Sequence, residues 1–194
     1  MPTEETFFVR PLRSADTDAA QRLWTQRFGG EPSTQQEWIE VALSTTHSAV
    51  GLVAVAASAP EVVGFSLLDV ASRGYTRRYL GLETLDVAPP LAGRNGIFHL
   101  SCVQADWEGQ GIGSAFYERR LEVLAERAVP RAFGIAWHRP GPVDSRVLFT
   151  KYGFTCLATV ERYYTRTGTR PTCPVCSGAC RCTASLYGRS LHQS

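Results

Sequence analysis

Methionine occurs once in this chain, at position 1, and lysine once, at position 151. No apolar run approaches the roughly 20 residues that a membrane-spanning helix needs, so no membrane role is expected. The start, Met1-Pro2-Thr3-Glu4-Glu5, is acidic where a secretion signal would be basic and then apolar. The expected location is therefore cytoplasmic. Charge of one sign is also scarce in excess: 20 Lys and Arg against 18 Asp and Glu leave a net charge of +2. That balance gives no electrostatic footprint for nucleic acid, so no nucleic-acid partner is expected. The preference for arginine over lysine reads as a compositional bias, not as phosphate recognition. Internal repeats and low-complexity segments are missing.

What is present is an ordinary globular composition, 44% hydrophobic and 20% charged over 194 residues. The length fits one domain, residues 1–194, with a small cysteine-rich insertion at 171–183. Phe7–Val9 reads as a short strand, and Ser14-Ala15-Asp16 opens a helix with Ala19, Ala20, Leu23 and Trp24 at helical spacing. A second helix fits Ser33–Ser44, with Ser33 as its N-cap. The Val-rich runs Val50–Ala57 and Glu61–Val70, joined by Ser58-Ala59-Pro60, carry a hairpin signal. Residues 71–96 hold four glycines, two prolines and Arg73, Arg77 and Arg78, and read as a long connection of the functional kind. Further elements are a strand at 97–105, a helix at 111–127, a strand at 132–137, a short helix at 144–152, and strands at 154–164 and 184–191. The order predicts a mixed α/β fold.

The most informative stretch is Ser101-Cys102-Val103-Gln104-Ala105-Asp106-Trp107-Glu108-Gly109-Gln110-Gly111-Ile112-Gly113-Ser114-Ala115. A strand enters a turn with glycines at alternate positions, and the turn opens a helix. Glycine allows positive φ and close approach of a ligand. The amides of the first helical turn, with the helix dipole, suit an anion such as a pyrophosphate. A tight turn without a ligand would use the same residues. A P-loop would need a Lys after the last Gly, and Ser114-Ala115 stands there instead. A dinucleotide fingerprint belongs in the first βα unit, whereas this one follows a hairpin.

At this point the sequence resembles the GNAT superfamily of acetyl-CoA-dependent N-acetyltransferases. Val103–Ser114 lines up with that family's strand and Arg/Gln-x-x-Gly-x-Gly/Ala marker. Phe149-Thr150-Lys151-Tyr152-Gly153-Phe154 lines up with its second marker, a short helix ending in aromatic-x-x-x-Gly-Phe. The likeness covers about residues 6–164 and resumes near Ala184. It implies a mixed, mostly antiparallel twisted sheet flanked by helices. It also implies that Cys102 and Val103 pair with the pantetheine arm, with the Val103 N–H polarising the thioester carbonyl. The loop Glu108, Gly109, Gln110, Gly111, Ile112, Gly113 and Ser114 would hold the pyrophosphate. Two departures stand out. In the matching register the Arg/Gln position is Glu108, a carboxylate that must point away from a pyrophosphate. A shift by two gives Gln110-x-x-Gly113-x-Ala115. The position where many members carry a proton-donating Tyr is Phe149, so that role falls elsewhere, with Tyr152, Tyr163 and Tyr164 the nearby hydroxyls.

Amine acetylation needs a base for the amine and an acid for the departing thiolate. His138, at a strand end, is the first candidate base, and His99 the second; His47 and His192 read as peripheral. Arg162-Tyr163-Tyr164 resembles the Tyr-Tyr segment of the protein N-terminal acetyltransferase branch, where it lines the acceptor groove; the edge of an amphipathic strand would read the same. Tyr164 joins His138 as a candidate catalytic residue.

Cys173-Pro-Val-Cys176-Ser-Gly-Ala-Cys180-Arg-Cys182 is a C-x2-C-x3-C-x-C array. Four thiolates in ten residues suit a tetrahedral Zn²⁺, with an iron–sulfur cluster, disulfides or free thiols as alternatives. Cys102 and Cys156 read as small core residues. The expected activity is direct acetyl transfer from acetyl-CoA to a primary amine, a protein N-terminus or a small molecule, with homodimerisation left open. The alternative is a non-catalytic acyl-CoA binder or metal-dependent sensor, which Glu108 and Phe149 favour.

Overall fold

The computed structural model describes residues 6–44, 48–138, 144–168 and 173–191; His47 and His192 lie outside them. Among these described residues seven strands and six α-helices follow in chain order: β1 (Phe7–Pro11), α1 (Thr17–Phe28), α2 (Pro32–Leu43), β2 (Val50–Ala56), β3 (Val62–Ser72), α3 (Arg73–Tyr79), β4 (Arg94–Val103), α4 (Ile112–Glu126), β5 (Arg131–Trp137), α5 (Ser145–Lys151), β6 (Thr155–Val160), α6 (Tyr163–Thr167) and β7 (Ala184–Ser190). Among the described residues the strands form one sheet in the order β1-β2-β3-β4-β5-β7-β6. The β1–β2, β2–β3, β5–β7 and β6–β7 pairs are antiparallel. The β4–β5 pair is parallel, with a ladder from Gly96–Ala132 to Phe98–Gly134. The architecture is thus mixed α/β and mostly antiparallel, as the sequence predicts.

Chain contacts divide into two compact units, Met1–Leu68 with Leu100–Arg119, and Asp69–His99 with Arg120–Ser194. In the first, β2 and β3 are buried almost throughout, which explains their unbroken Val-rich runs. Leu23, Ile39, Val53, Phe65 and Cys102 pack in one apolar cluster, and Ile112 and Phe116 join Leu52 and Val63 in another. In the second unit Leu80, Leu82, Phe133 and Leu186 form one cluster, and Leu85, Val160, Tyr163 and Ala184 the next. No helix among the described residues is long and apolar enough to cross a membrane.

Four local expectations need correction. The second helix starts at Pro32, not after Ser33: Pro32 takes the first helical turn, where a missing N–H costs nothing. Residues 71–96 are not wholly a connection. β3 runs on to Ser72, whose hydroxyl caps α3 by accepting from the Tyr75 N–H at 3.3 Å, and β4 begins at Arg94. The strand expected at 154–164 stops at Val160. Arg162 turns left-handed at φ 53° and Tyr163 and Tyr164 open α6 instead. Cys156 is not a core residue: it is exposed on β6, beside a register shift between Cys156 and Ala158.

Candidate active site and metal centre

In the first unit, β4 ends at Val103 and a 3-10 turn spans Ala105–Trp107. Gly109 and Gly111 follow at φ 77° and 94°. A Cβ at either glycine would meet nothing within 4 Å. Glycine is therefore needed for the backbone path, and the space beside it is open. The first intrahelical bond of α4 runs from the Ala115 N–H to the Gly111 carbonyl at 3.0 Å. The amides of Ile112 and Gly113 precede it and have no acceptor within the helix. Ile112 itself is a core side chain against Phe116, so its main chain, not its side chain, faces this turn's chemistry. The Gln110 side chain donates back to the Asp106 carbonyl at 2.9 Å.

Glu108 does not stand alone. Its carboxylate accepts a hydrogen bond from the Arg27 guanidinium. The same guanidinium donates to the Val103 carbonyl from Nε and Nη2, at 2.8 and 2.7 Å. Arg27 thus neutralises the carboxylate and ties the last residue of β4 to the glycine turn. Sequence reasoning missed it, because Arg27 lies 76 residues before Val103.

In the second unit, His138 follows β5 and is partly buried. Its N–H donates to the Thr183 carbonyl at 3.0 Å, and its Nε2 lies 2.8 Å from the Ser185 hydroxyl. Ser185, itself buried, continues to the Thr159 hydroxyl at 2.8 Å. The chain His138–Ser185–Thr159 crosses from the end of β5 over β7 to β6. Burial lowers the His138 pKa below 6.5; Arg146 adds to this and Asp144 opposes it. His138 is therefore neutral at pH 7, the form a base needs. His99 is partly buried with its ring edge-on to Tyr79, centroids 4.4 Å apart, and desolvation pushes its pKa down to about 3.

The tyrosine pair divides. Tyr163 is fully buried, and its hydroxyl donates to the Leu80 carbonyl at 3.1 Å. Tyr164 is partly buried with its ring edge-on to Tyr163 at 5.2 Å. Phe149 is buried and its Cζ rests against the bare Cα of Gly134, where a Cβ would lie 2.4 Å away. Tyr187 stacks on Phe149 at 4.8 Å and 7°. Cys102 is buried, its thiol donating to the Phe65 carbonyl at 3.5 Å; burial pushes its pKa up to about 12. It is an inert core thiol.

The four cysteines of the array do converge. Cys173, Cys176, Cys180 and Cys182 place their sulfurs within 4.8 Å of one another. Cys173 and Cys176 lie 3.7 and 3.6 Å from Cys182. Four sulfurs at about 2.3 Å from one Zn²⁺ stand roughly 3.8 Å apart, so the set fits a single tetrahedral ion. Thiolates of an iron–sulfur cluster bind different irons and spread wider. All four thiols are free. The Arg181 N–H donates to the Cys176 sulfur at 3.4 Å, and Gly178 turns the loop at φ 87°. Burial raises Cys173, but the Val175 and Cys176 N–H groups and the Cys180 and Cys182 thiols outweigh it and bring its pKa down to about 7.

No protein-family model matches the sequence, and no curated protein matches it. Solved structures do. Arabidopsis thaliana NAA60 in complex with acetyl-CoA superposes with a TM-score of 0.70 at 14% identity, over 96% of this chain and 99% of that one. A GCN5-related N-acetyltransferase from Kribbella flavida gives 0.65 at 16% identity, over 97% and 100%. The ribosomal-protein-S18-alanine N-acetyltransferase from Escherichia coli gives 0.64 at 15%, over 97% and 96%. The chain therefore has the fold of the GNAT N-acetyltransferases along nearly its whole length.

Proposed function

We propose that this chain is a single acetyltransferase domain that moves an acetyl group from acetyl-CoA to a primary amine, by direct transfer. The observation that carries the reading is the turn after β4. Its left-handed Gly109 and Gly111 leave open space, and Arg27 neutralises the Glu108 carboxylate, which would otherwise repel a pyrophosphate. The amides from Gly109 to Ser114 hold the pyrophosphate, and the main chain of Cys102 and Val103 holds the pantetheine arm. The Val103 N–H polarises the thioester carbonyl. His138, kept neutral, takes the amine proton as nitrogen attacks the carbonyl carbon and the C–S bond breaks. Tyr163 is committed to Leu80, and Tyr164, partly buried beside it, is the proposed proton donor to the thiolate. A protein N-terminus is the favoured acceptor class. The resemblance of the Tyr163-Tyr164 segment and the likeness to NAA60 and the S18-alanine enzyme support it. The four cysteines hold one Zn²⁺, whose chemistry here is structural: four thiolates leave it no open position.

The test joins native mass spectrometry with and without acetyl-CoA to a mass assay of acetylated peptide N-termini and small amines. One zinc, bound CoA and acetylated product are expected. His138→Ala should lower kcat by about a hundredfold or more while the acetyl-CoA Kd stays unchanged. The base works above its pKa, so the acid limb of the rate profile should fall below pH 6.5. Tight acetyl-CoA binding with no transfer to any amine would favour the non-catalytic acyl-CoA-binding reading, to which Phe149 also points.

A further inference from the structure

The cysteine loop is stitched into the second unit at both candidate catalytic residues. Cys182 is the junction. Its carbonyl accepts the Tyr163 N–H at 3.2 Å, which fixes the start of α6 beside Tyr164. The Thr165 hydroxyl, two residues further on, donates to the Cys180 carbonyl. The next carbonyl after Cys182, that of Thr183, accepts the His138 N–H at 3.0 Å. Ser185, two residues beyond, holds the His138 ring at 2.8 Å. Trp137, the last residue of β5, pairs with Ala184 at the start of β7. Residues 137 and 138 are thus each held by residues 183–185, immediately after the last cysteine. The cysteine loop, which supplies the Cys180 and Cys182 carbonyls and leads directly into Thr183, has no helix or strand between Cys173 and Cys182, and Cys180 is its one buried residue. Apolar burial cannot order it. Coordination by four side chains can, because metal binding to such a loop is folding free energy.

We infer that the metal held by Cys173, Cys176, Cys180 and Cys182 positions His138 and Tyr164, and so governs use of the amine acceptor and not the binding of acetyl-CoA. This rests on the acetyltransferase reading proposed above. The cysteines are positioning residues; none touches a reacting atom. The metal acts through the Cys182 and Thr183 carbonyls, so its loss loosens the main chain at His138 and at the start of α6 together.

The experiment takes the full chain loaded with zinc, and with cobalt(II) as a spectroscopic reporter, before and after a strong chelator. Amide hydrogen exchange, the acetyl-CoA Kd, and the acceptor KM and kcat are measured in each state. Chelation should abolish the thiolate-to-cobalt charge-transfer bands and speed exchange at the His138 and Tyr163 amides, leaving β2 and β3 protected. The acceptor KM should rise by about tenfold, roughly the worth of one positioned hydrogen bond, with the acetyl-CoA Kd unchanged. Added zinc should restore both. Unchanged exchange at the two amides, or an acetyl-CoA Kd that rises in step with the acceptor KM, would overturn the inference. A metal-loaded chain whose two amides respond to chelation but which acetylates no amine would sink the acetyltransferase reading, and the acceptor half of this inference with it.

Discussion

Arg27 settles a conflict that the sequence poses at Glu108. A carboxylate beside a pyrophosphate site is tolerable when a guanidinium already holds it, and charge-assisted hydrogen bonds are the strong ones. The pair is only partly exposed, with side chains 20% and 25% accessible. Arg27→Met leaves Glu108 uncompensated and unties Val103. It should weaken acetyl-CoA binding by about tenfold or more, and adding Glu108→Gln should recover most of that loss. Calorimetric titration of the four proteins checks it; additive effects would show that the two side chains act independently. Nothing in a single sequence marks Arg27, since its partners lie far along the chain. His138 is legible as a histidine at a strand end. Its partners Ser185 and Thr159 are not, because they depend on the β5–β7–β6 register, a tertiary property.

At the level of elements, legibility follows how local the cause is. The β2–β3 hairpin shows in its Val-rich runs, and the turn before α4 in its glycines. The helical fate of Tyr163-Tyr164 was hidden, because aromatic residues after Val160 read as a continuing strand. The left-handed Arg162 stops it, and burial of Tyr163 with its hydroxyl on Leu80 rewards the helix. Gly81 belongs to the same arrangement: a Cβ there would lie 2.2 Å from Thr167 at the end of α6. Gly134 is the parallel case for α5. Gly134→Ala would drive Phe149 off β5 and break its stack with Tyr187. A loss of about 1–3 kcal/mol in urea unfolding is expected, as for other overpacked sites. Phe149→Leu in the same background should recover part of it by vacating the ring's tip.

Across the whole molecule, β7 is the last strand in sequence yet sits between β5 and β6, which leaves β1 and β6 as the two edges of the sheet. Local patterning cannot reveal that order. The edge at β6 is irregular at Cys156, a device that discourages one sheet from extending another. It also leaves the molecule with a built-in counter. Of its six thiols, Cys156 is exposed, Cys102 is buried and inert, and four converge within 4.8 Å in the proposed metal site. A maleimide should therefore take up one label in the metal-loaded protein, five after chelation and six after unfolding, read by intact mass. More than one label at the first stage would mean that the array holds no metal. The sequence of steps turns a simple alkylation into a gauge of occupancy, usable in crude extract without purifying the metal at all.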